Sequence, residues 1–168
     1  SMLLLLTGRA EANGNATYRA TVLLVAGAPG TDEYGRMFRE WAGRWREAAE
    51  RGQAELFTLG LEPVDSDQTD LEKLERLVRQ LAADEQVDRP LWIVLIGHGT
   101  FDGRTARFNL RGPDLLPEML NDWLAGTQRE LAIINCTAAS APFISVLSGP
   151  DRVVVTATKS GAEVNFAR

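Results

Sequence analysis

Three short runs, 21–26 (TVLLVA), 91–96 (LWIVLI) and 131–135 (LAIIN), are apolar at nearly every position. A strand with one wet face alternates polar and apolar residues, so runs without alternation belong to strands buried on both faces. Residues 54–59 (AELFTL) and 153–157 (VVVTA) read as two further strands. Stretches with apolar residues at three- and four-residue spacing separate them, the period of helices that cover such a sheet. This alternation predicts an α/β fold, a three-layer α/β/α sandwich with a mostly parallel central sheet.

The intervening helices carry start and stop signals. Asp32 is placed to cap a helix over 33–51, with Tyr34, Met37, Phe38, Trp41, Trp45 and Ala48 as its core stripe. Thr69-Asp70-Leu71-Glu72 is a capping box, and it opens a helix with Leu71, Leu74, Leu77, Val78 and Leu81 on one face. Residues 106–110 read as extended, 116–124 as a third helix closed by Gly126, and 140–147 as a short helix capped by Ser140. The length of 168 residues suits a single domain, 1–168. Ser1-Met2 reads as an expression remnant, and Asn15-Ala16-Thr17 fits a glycosylation acceptor.

Composition removes several function classes. With 18 basic against 23 acidic residues, a net charge of −5 and no basic run, nucleic acid and anionic membranes are poor partners. The longest uninterrupted apolar stretch, 2–6, falls far short of the roughly 20 residues of a membrane helix. One cysteine and one histidine make neither an internal disulfide nor an ordinary zinc site, and the leading reading below carries neither metal nor organic cofactor.

In mostly parallel sheets the ligand site lies beyond the carboxyl ends of the strands. The single histidine stands there, as Gly97-His98-Gly99 after the third strand, and the single cysteine as Asn135-Cys136-Thr137 after the fourth. Emerging on one sheet edge, they read as a Cys–His dyad: a sulfur nucleophile with an imidazole as acid and base. Gly97 and Gly99 leave room for a substrate backbone, and the N–H groups of Gly99 and Cys136 are the expected oxyanion hole. A helix N-terminus beyond Ala138-Ala139-Ser140 favours a thiolate. Taken singly, each residue also reads as structural, a small buried hydrophobe and a satisfied imidazole. A nucleotide binder fits less well, because Gly27-Ala28-Pro29-Gly30 lacks the G-x-G-x-x-G spacing.

These residues resemble the caspase–legumain clan of cysteine peptidases, and within it the legumain-like family with its bacterial members. The resemblance rests on Val25-Ala26-Gly27 with Tyr34 and Arg36 beyond it, on 96–103 (IGHGTFDG), on 135–140 and on 153–167. It implies a caspase-hemoglobinase-like sheet, Cys136 as nucleophile, His98 as general acid/base and Gly99 N–H in the oxyanion hole. It also implies a backbone carbonyl that steadies the histidine, a place Pro29 can take. The substrate is then a peptide or protein. The pocket for the side chain before the cut is expected between Tyr34 and Arg36 on one side and Lys159, Ser160 and Glu163 on the other. Two departures stand out: Thr137 where legumains carry an acid, and Ala28-Pro29 where they carry Ser-Asn. The clan's sheet normally has six main strands, so a last strand and helix are expected after Arg168. The runner-up reading is a catalytically silent module of the same fold that binds a peptide or partner protein.

Overall fold

A computed structural model describes residues 18–64, 67–84 and 88–163. The Met2–Leu6 run, the Asn15-Ala16-Thr17 triplet and 164–167 of the resemblance lie outside the described residues. Five strands, β1 (Ala20–Ala26), β2 (Ala54–Leu59), β3 (Leu91–Ile96), β6 (Leu131–Asn135) and β7 (Arg152–Thr156), form one sheet in the order β2-β1-β3-β6-β7. Every pairing in it is parallel. Between β3 and β6 a small antiparallel hairpin, β4 (Gly99–Phe101) and β5 (Ala106–Phe108), stands apart from the sheet. Its turn is closed by Asp102, whose carboxylate accepts from the N–H groups of Thr105 and Arg104. The Thr105 N–H, then the Arg107 guanidinium, hold that carboxyl down at about 2.

The apolar runs are buried on both faces as expected. Leu23, Val25, Leu95 and Ile133 face α2 (Asp70–Ala82), α3 (Pro117–Trp123) and α4 (Pro142–Leu147), while Val22, Leu24, Val94 and Ile96 face α1 (Asp32–Arg51). Each fully buried Leu, Ile or Val contributes about 1.5–3 kcal/mol relative to exposure. The molecule is therefore an α/β/α sandwich, with one helix on one side and three on the other among the described residues. Beyond the reach of α1, Val153 and Val155 of the edge strand β7 stay exposed on its side of the sheet.

Helix ends and faces differ in detail from expectation. Thr31, not Asp32, caps α1, because the hydroxyl reaches the Tyr34 N–H while Asp32 already lies in the first turn. The buried stripe of α1 is Gly35, Phe38, Ala42 and Ala49, with Trp41 and Trp45 packed along its border. Ala48 faces solvent, since the stripe drifts around the helix over five turns. The capping box at Thr69 and Glu72 forms with both reciprocal bonds, and it lowers the Glu72 carboxyl pKa through the Thr69 amide and then its hydroxyl.

Candidate active site

Strand periodicity brings His98 and Cys136 to one place. β3 and β6 are parallel neighbours with Leu95 opposite Asn135, about 4.8 Å apart. Val94 and Ile96 face α1, and by the two-residue period His98 continues that row. Ile134 lies on the same side, so Cys136 continues the neighbouring row. The chain reverses its direction of winding between β1 and β3, and His98 stands at that switch point.

The imidazole is held from three directions. Its Nε2 lies 3.1 Å from the carbonyl oxygen of Pro29, in the loop after β1. A carbonyl only accepts, so Nε2 carries the hydrogen of this contact, and in the neutral tautomer that fits it Nδ1 holds the lone pair. Tyr34 and Phe38 of α1 pack against it, with ring centroids at 4.5 and 5.3 Å and interplanar angles of 83° and 61°. Edge-on aromatic contacts of this kind restrict rotation of the ring.

Asn109, which no motif singles out, ties these loops together. Its N–H donates to His98 O at 3.0 Å, and its carbonyl accepts from Ala28 N–H at 2.9 Å. The two flanking glycines are needed for packing rather than for substrate. A Cβ on Gly99 would collide with the Ala138 carbonyl oxygen and lie 2.7 Å from Thr137 Oγ1. One on Gly97 would lie 3.0 Å from the Phe108 ring and 3.2 Å from Gly27 Cα. The room expected for a substrate backbone is thus filled by the protein itself, and the loop after β3 is pressed onto the loop after β6.

Of the two amides expected as oxyanion donors, one is engaged inside the sheet. Cys136 N–H donates to Leu95 O at 2.9 Å, continuing the sheet ladder, so it is engaged inside the fold. In the hairpin, His98 and Asn109 form the hydrogen-bonded pair, and the alternation of an antiparallel ladder turns Gly99 N–H away from β5.

The cysteine loop is fixed by the loop after β7. Ala139, with φ of 53°, donates its N–H to Glu163 O at 3.0 Å, and Ala141 N–H donates to Thr158 Oγ1 at 3.1 Å. Ser140 does not cap α4, whose N-cap is Ala141 with no side-chain bond. Its hydroxyl oxygen instead accepts from the N–H groups of Ala157 and Thr158. Cys136 itself is half-buried, and burial pushes its thiol up from the ordinary value. That is opposite to the thiolate expected from a helix dipole; α4 begins only at Pro142 and is six residues long.

Each of the five residues expected to line a substrate pocket is placed by its own element. Tyr34 serves the imidazole. Arg36 follows it by two positions, about 200° around the helix, and so leaves the face that meets His98. Glu163 is occupied within its own loop: its carboxylate accepts from Lys159 N–H at 2.8 Å and pairs with Lys159 Nζ at 3.6 Å. Ser160 is exposed in the turn between them. Among the described residues no group of three His, Cys, Asp or Glu is placed to hold a metal ion, and no helix is long and apolar enough to cross a membrane. A comparison with protein-family models and with curated proteins finds no match.

Proposed function

We propose that this chain is a cysteine endopeptidase that cleaves peptide bonds through a Cys–His dyad, with neither metal nor organic cofactor. The observation that carries the reading is the anchoring of His98 Nε2 on the Pro29 carbonyl, which leaves Nδ1 basic on the strand beside that of Cys136. Burial keeps the thiol protonated at rest. On attack its proton passes to His98 Nδ1 while sulfur bonds to the substrate carbonyl carbon. Gly99 N–H donates to the oxygen that gains charge. His98 then returns the proton to the leaving amine as the C–N bond breaks, and water hydrolyses the thioester with His98 as base.

The partner is a peptide or protein chain. Because the Glu163 carboxylate is held by Lys159, it supplies no unpaired acid, and a preference for a basic residue before the cut loses its support. The test is hydrolysis of a peptide library by wild type and by Cys136→Ala. Cleavage by the wild type and none by the folded variant is the expected result; equal activity in both overturns the reading.

One observation favours the runner-up, a silent peptide-binding module: a thiol raised by burial is less reactive in the resting state. A peptidyl electrophile separates the two. Covalent capture on Cys136 that is lost in His98→Ala belongs to an enzyme, and reversible binding without capture to the module.

A further inference from the structure

Asn135 and Thr137 flank Cys136, and both are about 1% exposed. They share the side of the sheet away from α1, so the cysteine between them is turned toward α1 and His98. Asn135 Oδ1 accepts from Thr137 N–H at 3.1 Å and lies 2.7 Å from its hydroxyl. This closes an Asx turn around the cysteine. The Thr137 hydroxyl also lies 3.0 Å from the Ala138 carbonyl, the group pressed against Gly99. Asn135 Nδ2, in contrast, is buried with no acceptor among the described residues. The amide cannot be reversed, because Thr137 N–H requires an oxygen opposite it.

An orphaned donor is unfavourable, and an aspartate would remove it. A carboxylate accepts both Thr137 bonds equally well. What it would add is a buried negative charge one residue from the sulfur, and a like charge disfavours a thiolate. The other groups around the cysteine are His98 from the loop after β3, Tyr34 of α1 against that ring, and the Lys159–Glu163 pair after β7. None of these places an uncompensated carboxylate beside it.

We infer that Asn135 is a positioning residue that closes the turn around Cys136 while keeping the buried space behind the sulfur uncharged. The consequence for peptide cleavage rests on the dyad proposed above, whereas the thiol's surroundings can be read without it. The experiment is the rate of iodoacetamide alkylation of the whole chain from about pH 6 to about pH 10, with circular dichroism as the check on folding. Asn135→Asp is expected to raise the titration midpoint by about one unit and to slow labelling about tenfold at neutral pH. Asn135→Ser keeps a short acceptor for the Thr137 amide, brings no charge, and is expected to titrate as wild type. A wild-type midpoint in Asn135→Asp, or the same displacement in Asn135→Ser, overturns the inference. If Asn135→Asp does not fold, Asn135→Ser and Asn135→Ala decide. Alanine has no acceptor, so its labelling rate should depart from wild type by about fivefold or more while serine's does not. Equal rates for serine and alanine count against the inference. Failure of the wild type to cleave any peptide removes the dyad and leaves these titrations standing.

Discussion

The two edges of the central sheet are built on opposite plans. At the amino edge the Arg129 guanidinium is fully buried and satisfied on every side: Nε donates to Arg89 O at 2.8 Å, Nη1 to Leu81 O at 3.1 Å and Nη2 to Thr21 Oγ1 at 2.7 Å. Burial lowers its pKa, and the Asp84 carboxylate 3.7 Å away acts against that shift. At the carboxyl edge His98 and Cys136 are only half-buried, one imidazole nitrogen meets the Pro29 carbonyl, and the neighbouring Asn135 carries a donor with no acceptor among the described residues. Among those residues unmet buried atoms occur at both edges, Arg89 Nε at the amino edge and Asn109 Oδ1 and Asn135 Nδ2 at the carboxyl edge, so the contrast lies in the caged guanidinium against the half-buried His98 and Cys136.

The contrast breaks most readily at Arg129. Arg129→Met leaves two carbonyls and a hydroxyl buried without a donor, an expected loss of about 3–5 kcal/mol in urea unfolding. Turnover per folded molecule should stay at the wild-type level; a parallel loss of activity would couple the two edges. His98→Ala should show the reverse, about 100-fold slower peptide cleavage with little change in the unfolding midpoint. Gly99→Ala sharpens the comparison because it strikes a junction at the carboxyl edge. Its methyl group meets the Ala138 carbonyl, so about 1–3 kcal/mol of stability should be lost together with activity. The smallest effect is alkaline. The Cys136 thiol is raised in the folded state, so the folded chain keeps its proton after the unfolded chain has released it. Stability from this group is complete below the ordinary thiol value and declines as pH rises through the folded one. Thermal melts of wild type and Cys136→Ser across that window should converge at neutral pH and separate above it.

The apolar runs of β1 and β3 made the centre of the sheet legible, because strands buried on both faces leave little place for a polar residue, whereas the valines of β7 signalled a strand while staying exposed on one face. All five strands appear within one residue of their expected bounds. The location of His98 and Cys136 at adjacent strand ends was legible for the same reason. The hairpin β4–β5 was not, since three-residue strands are too short to show a period, and only 106–110 hinted at it. Asn109 and Pro29 act through backbone atoms, which any residue type offers, so their side chains carry no signal. Of the residues expected to line the pocket, Lys159 and Glu163 pair with each other, opposite charges four residues apart in one loop. Gly-His-Gly was a real signal, but what demanded the missing side chains was the neighbouring loop.

The Arg129 bond to Thr21 spans 108 residues of chain. A guanidinium gives up its hydration only when a complete cage is ready, and this cage needs the start of β1, the end of α2 and the entry to β6 together. Such a contact is expected to form after the transition state rather than within it. Removing it should therefore leave the refolding limb of the chevron nearly unchanged and steepen escape from the native state. Arg129 then sets how long a folded molecule lasts more than how fast it is made.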